Sequence, residues 1–256
     1  SEWRANLGAG LHFEAGRIDA YEDDLRFTVV ASDLTAAYNS TAYATPGNAA
    51  KVSLVQRDLV YVRPALLLVV DRVRTVPGSQ APRFALHFPD RPHLVPEPPV
   101  ASGSREDGVL AGPVDGLRFG VTNGAGGTLT GRTLEPDRAQ VVLIGGPTHR
   151  YWVDGANRAG GAEGLDAPPA EPGQWRLEVA PASAPAATEA SDWLLAHALT
   201  VGDSGTPAID VVQLSTSTDP ARPARLLALW APDSAPSESA SHTLVLASGA
   251  VPRASV

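Results

Sequence analysis

The sequence predicts an all-β protein: one large antiparallel two-sheet β-sandwich of the supersandwich kind. Three observations predict it. The segment Lys51–Val76 reads as two strands meeting at Arg63-Pro64. The first alternates in two short phases, Val52 and Leu54, then Leu59 and Tyr61, and the second, Ala65–Val70, is a continuous apolar run. A half-buried strand followed by a fully buried one is the pattern of stacked sheets. Next, 24 glycines and 23 prolines punctuate the 256 residues, which favours many short strands over long helices. Finally, 43% hydrophobic and 19% charged residues make a globular composition, and this length can bury a sizeable core as a single domain over residues 1–256.

The elements follow in order. Asn6–Glu14 carries Leu7, Leu11 and Phe13 on one alternating phase, a strand or extended lead-in. Arg17–Tyr21 and Leu25–Ala31 form a hairpin across Glu22-Asp23-Asp24, and Arg26–Val30 is strongly β-prone. Asp33–Tyr38 starts a short turn with Asp33 as its N-cap, and Tyr43–Ala50 is a loop around Pro46-Gly47-Asn48. After the Lys51–Val76 pair, Pro77-Gly78 turns the chain into a strand over Arg83–Phe88. Pro89–Pro99 is proline-rich and without period, a connector. Asp107–Ala111, Gly116–Thr122, Thr128–Leu134 and Gln140–Ile144 are strands, with a flexible turn at Gly124–Gly127. Gly155–Gly173 is a loop, and Gln174–Ala180 alternates with Trp175, Leu177 and Val179 on one face. Ser191–Val201 alternates through Trp193, Leu195, His197 and Leu199, and Val211–Ser215, Arg225–Trp230 and His242–Ala247 end the sheet.

Charge and composition narrow the function classes. A net charge of −8 disfavours nucleic acid, whose binders carry a basic footprint, although a local arginine cluster can still serve a polyanion. Lys51 is the only lysine; coding bias accounts for that preference, and arginine chosen for its carboxylate fork is the functional alternative. No cysteine is present, so disulfides and thiolate metal sites are excluded. No apolar run reaches the roughly 18 residues of a membrane span. The absence of methionine implies that Ser1 is not a translational start.

The candidate site residues are weighed against structural roles. His149, Arg150, Tyr151 and Trp152 cluster before a glycine-rich loop that includes Asn157. Aromatic faces stack on pyranose rings and arginine forks hold carboxylates, so His149, Arg150, Trp152 and Asn157 are the sugar-contact candidates, against a plain strand with one ring in the core. His87 ends a strand beside Phe88 and either faces a cleft or is a satisfied interface histidine. Arg57, Asp58, Arg63, Asp71 and Arg72 read as ion pairs holding adjacent strands, Trp175–Glu178 as core plus cross-strand pairing, and His197 as a core histidine. His87 and His93, with Asp90 between, lack the spacing of a metal ligand set, and no nucleophile elbow or phosphate loop occurs; no cofactor or metal is expected.

Several pieces together resemble the C-terminal β-sandwich module of heparinase II/III-like polysaccharide lyases. They are Asp33-Leu34-Thr35 with Tyr38; Arg57 followed by Val60-Tyr61-Val62 and Pro64; Val70-Asp71-Arg72-Val73; Leu86-His87; Thr133-Leu134 with Pro136; Gly145-Gly146; Asp154-Gly155 with Asn157; Trp175–Val179 with Pro181; and Asp192 with His197 and Leu199. Their order spans about residues 15–205. The resemblance implies a bacterial, periplasmic or secreted lyase acting by β-elimination on a uronic-acid polysaccharide. In that family an α/α toroid carries most of the catalytic Asn, His and Tyr groups. Only His12 precedes the Asp33 segment here, outside any histidine-rich motif, so the resemblance implies a sandwich fragment lacking the toroid and any catalytic residue of its own. A non-catalytic carbohydrate-binding or structural sandwich is the alternative.

Overall fold

A computed structural model of the chain describes residues 16–25, 27–39, 50–158, 174–182 and 189–203, together with the backbone of strands 210–216, 224–230 and 242–247. Two large antiparallel sheets stack face to face, as the sequence predicts. The eight-stranded sheet contains β1 (Arg17–Asp23), β2 (Phe27–Asp33), β3 (Val52–Val62), β4 (Leu66–Thr75), β15 (Ser191–Asp203), β10 (Gly127–Glu135), β9 (Arg118–Thr122) and β6 (His93–Val95), in that spatial order. The five-stranded sheet runs β5 (Phe84–Phe88), β14 (Trp175–Pro181), β11 (Arg138–Gly145), β8 (Gly108–Asp115), β7 (Val100–Gly103).

The β3–β4 hairpin turns at Arg63–Ala65, where the Arg63-Pro64 peptide is cis. Its two strands behave as their sequences require. In β4, Val69 joins the core between the sheets with Leu143, Leu177, Leu195 and Phe84, while Leu66, Leu68 and Val70 enter a second apolar cluster on the other face with Val60, Ala196 and Ala198. A strand apolar on both sides is therefore buried on both sides. The paired charges also fall where the sequence puts them. Arg57 donates to both oxygens of Asp71, at 2.6 and 2.7 Å, and Arg72 bonds Asp58, each pair crossing from β3 to β4. Arg63 reaches back to Asp23 at 2.8 Å and ties this hairpin to β1.

Four local expectations change. The segment over Asp33–Tyr38 is a single helical turn, α1 (Thr35–Tyr38), whose N-cap position is Leu34; Asp33, one residue earlier, accepts the Thr35 N–H at 2.9 Å. The proline-rich Pro89–Pro99 connector contains strand β6, which buries Leu94 against β9. Three residues are too short to show a period, so only the pairing partner reveals the strand. The same holds for the short edge strand β7. The last strands, β16 (Asp210–Thr216), β17 (Ala224–Trp230) and β18 (His242–Ala247), pair with one another in a separate three-stranded sheet rather than extending the sandwich. The expected lead-in strand over Asn6–Glu14, all of the Tyr43–Ala50 loop but Ala50, and most of the Gly155–Gly173 loop lie outside the described residues.

Two core features carry measurable consequences. Gly131 of β10 faces Phe119 of β9 directly in register, and a Cβ there would lie 2.1 Å from the ring. The glycine thus makes room for an aromatic ring in the core. Gly131→Ala is expected to destabilise the protein by roughly 1–3 kcal/mol through overpacking, read as a lower denaturation midpoint in urea.

His197 is the core histidine the sequence predicts: fully buried, stacked on Phe84 at 3.8 Å, with Nδ1 3.3 Å from the Thr133 hydroxyl and Nε2 unpartnered among the described residues. Burial, helped by the Arg57 charge, lowers its pKa to about 3. The folded state then binds fewer protons than the unfolded chain between pH 6.5 and about 3. Stability from this group is intact above pH 6.5 and falls as pH drops through that window, with a limiting slope on the order of 1 kcal/mol per pH unit. His197→Leu is expected to flatten the acid limb of a stability–pH curve measured by chemical denaturation.

Candidate functional site

The site begins with strand periodicity. In β14, alternation sends Trp175, Leu177 and Val179 into the core and Arg176 and Glu178 to the outer face of the small sheet. In β5, Phe84 and Phe88 point inward and His87 outward. The β5–β14 register sets His87 directly opposite Arg176. The Arg176 guanidinium donates to Glu178 Oε1 at 2.7 Å and to the Trp152 carbonyl at 3.1 Å. The second oxygen of Glu178 accepts from Arg83 at 2.7 Å. His87 and Trp152, 65 residues apart in sequence, are thus both neighbours of one arginine.

The connection after β11 supplies the aromatic part. Gly146 adopts φ 99°, and a Cβ there would lie 2.5 Å from the Asp107 backbone, so glycine lets the loop turn tightly against that residue. Asp107 then organises the loop. Its carboxylate accepts the Thr148 N–H at 2.9 Å and the Thr148 hydroxyl at 2.7 Å, and lies 3.0 Å from His149 Nδ1. The Thr148 hydroxyl, more than the imidazole, holds the Asp107 carboxyl below its ordinary pKa. The His149 ring is buried and lies 4.5 Å from the Trp152 ring. Strands β12 (Trp152–Val153) and β13 (Ala156–Asn157) close a small hairpin at Asp154-Gly155, both with positive φ, the turn chemistry that Asp-Gly favours. Asn157 Oδ1 accepts the Tyr151 N–H at 3.0 Å, and the Arg150 guanidinium sits 5.6 Å from the Tyr151 ring centroid.

The five candidate residues therefore occupy one region with different roles. His87 stands exposed on the outer face, and Trp152 is half-buried at its border. His149 lies beneath Trp152 and fixes its position through Asp107, while Asn157 shapes the turn that presents Arg150 and Tyr151. Sequence reasoning missed two residues, Arg176 and Asp107. The alternation Trp-Arg-Leu-Glu-Val already marks Arg176 as outward, but no local pattern shows that it reaches Trp152. Beyond Glu178 the outer face leads into a cavity of about 450 Å³ lined by Arg83, Gln140, Glu178 and Trp193, where the 76–83 connection crosses between the sheets. The combination of imidazole, guanidinium, carboxamide and indole can bind a carboxylated sugar: the cations hold the carboxylate and the ring stacks on the sugar face. Among the described residues, no group of three His, Asp or Glu side chains is placed to hold a metal ion, and no helix is long and apolar enough to cross a membrane.

No family model matches the chain, and no curated protein matches its sequence. Among solved structures, a mutant of heparan sulfate lyase HepC from Pedobacter heparinus is similar at 12% identity and a TM-score of 0.47, over 90% of this chain and 28% of that one. A heparinase III gene product is similar at 8% identity and a TM-score of 0.41, over 90% of this chain and 27% of that one. The chain spans 28% of the length of the first of these and 27% of the second.

Asp107→Ala removes the carboxylate that holds the Thr148 N–H, the Thr148 hydroxyl and the His149 ring. Amide hydrogen exchange is expected to accelerate across 146–158 while β4, β11 and β15 stay protected. Acidification has the same effect only below the ordinary carboxylate range, because a lowered pKa keeps the acceptor charged until then.

Proposed function

We propose that this chain is the β-sandwich portion of a bacterial, periplasmic or secreted polysaccharide lyase that acts by β-elimination on a uronic-acid polysaccharide. In this reading an α/α toroid of the parent protein performs the elimination, and the sandwich binds and orients the polymer. One observation carries the reading: His87, Arg176 and Trp152 share the outer face of the small sheet, with Arg150 and Asn157 on the loop beside it. The ordered motif series from Asp33 to Leu199 supports it.

The chemistry explains why such a surface helps. The proton on the carbon next to the uronate carboxylate becomes acidic once that carboxylate is neutralised. A base then takes the proton, the C–O bond to the neighbouring sugar breaks, and an acid protonates the departing oxygen. A double bond remains in the product. Arg150 and Arg176 neutralise carboxylates along the bound polymer and Trp152 stacks on a ring, so the chain holds the substrate in register for groups outside it. The chain's own role is uniform binding and positioning, not proton transfer.

The test uses the whole purified chain against uronans and a neutral glucan, in affinity electrophoresis and in an ultraviolet assay for the unsaturated product. Retardation by at least one uronan but not by the glucan is expected, with no rise in absorbance. Trp152→Ala and Arg176→Gln are each expected to weaken binding about tenfold. Absence of retardation by every uronan, or equal retardation by the glucan, overturns the reading. A rise in absorbance places the elimination inside this chain and overturns its assignment to the toroid.

A further inference from the structure

A second cavity, of about 620 Å³, lies where α1, the start of β3 and the 76–83 connection converge. We propose that it is a binding site for the carboxylate-bearing unit of an acidic sugar. Among the described residues its lining carries Lys51, Arg57 and Arg83 and one carboxylate, Asp71, in a chain whose totals are 20 cations and 28 acids; Arg57 is paired with Asp71 and Arg83 with Glu178, so Lys51 is the cation that no described acid neutralises. With both arginines paired, the described lining keeps an excess of one positive charge, opposite in sign to the molecule as a whole, and this favours an anion there.

The cations differ in kind. Arg57 is held rigidly: Nε and Nη2 grip buried Asp71, while its Nη1 has no partner among the described residues and the side chain is 38% exposed. A guanidinium fixed on one edge offers its remaining N–H groups without further ordering cost. Lys51 is exposed and forms no ion pair among the described residues. Tyr38 is 60% exposed and lines the same cavity as Arg57, and its ring can stack on a pyranose. Val55, Val73 and Leu195 give an apolar floor, and Gln80 offers an amide to hydroxyls. Stacking ring, apolar floor and one cationic end suit a uronate better than an acidic peptide, which presents no flat C–H face.

This cavity shares Thr75, Gly78, Ser79, Gln80 and Arg83 with the 450 Å³ cavity beside Glu178. Glu178 in turn bonds both Arg83 and Arg176. The acidic-sugar site is therefore linked through the Glu178 cavity to the outer-face strip, and Trp152 is not among its lining residues. Only the choice of a uronate as probe rests on the lyase reading.

The experiment titrates the full chain with glucuronate, with glucose, and with a tetraglutamate peptide, followed by ligand-observed NMR. Glucuronate is expected to bind about tenfold more tightly than glucose or the peptide, and Lys51→Gln and Tyr38→Ala, both at exposed positions, are each expected to cost about fivefold or more. The same losses are expected when Lys51→Gln and Tyr38→Ala are each made in a Trp152→Ala background, which lacks the outer-face ring. Equal affinity for glucose or for the peptide overturns the proposal, as does undiminished binding in both Lys51→Gln and Tyr38→Ala. Loss with Trp152→Ala alone moves the carboxylate to the outer-face strip; that overturns this site while leaving the lyase reading standing.

Discussion

Burial of β4 on both faces is the constraint on which the rest of the structure depends. Val69 packs between the two sheets while Leu66, Leu68 and Val70 pack on the far side of the same strand. Such a strand cannot lie at an edge, so it takes β3 on one side and β15 on the other, and the eight-stranded sheet grows outward from it. Layers and strand order follow from the need to cover both apolar faces at once.

The same sheet carries polar groups on the face that meets the small sheet, and these mark where packing stops. His197 sits deep, neutral and stacked on Phe84. One register step along, Asp71 lies opposite both Arg57 and Leu195, and the Arg57 side chain emerges into the cavity near Tyr38. Because buried Asp71 requires its partner, the arginine is kept at the border between core and solvent. A structural ion pair thereby also presents a positioned cation.

On the small sheet, position comes from packing and chemistry from loops. Strand β14 anchors itself through Trp175, Leu177 and Val179, leaving Arg176 and Glu178 free to connect neighbouring pieces. Glu178 joins Arg83 to Arg176, and Arg176 holds the Trp152 carbonyl, so one outward pair links β5, β14 and the hairpin beyond β11. Asp107 does the corresponding work from the β7–β8 side by fixing Thr148 and His149. The aromatic edge is thus held from two directions by charged hydrogen bonds.

The sequence by itself determined the elements whose signal is local. The β3–β4 hairpin, the alternating β14 and β15 and the placement of His197 in the core all follow from period-two patterning. That Arg57, Asp58, Asp71 and Arg72 form ion pairs between adjacent strands was legible, while the hairpin register decides that Arg57 takes Asp71 and Arg72 takes Asp58. Only the tertiary structure decided that β15 returns beside β4, that β6 and β7 are strands, and that His87 faces Arg176. It alone brought Tyr38, Lys51, Arg57 and Arg83 around one cavity. The physical reason is that alternation states which face a side chain takes, whereas its neighbour across a sheet depends on long-range register. That register is chosen by how whole faces pack together, and no local window of sequence contains it.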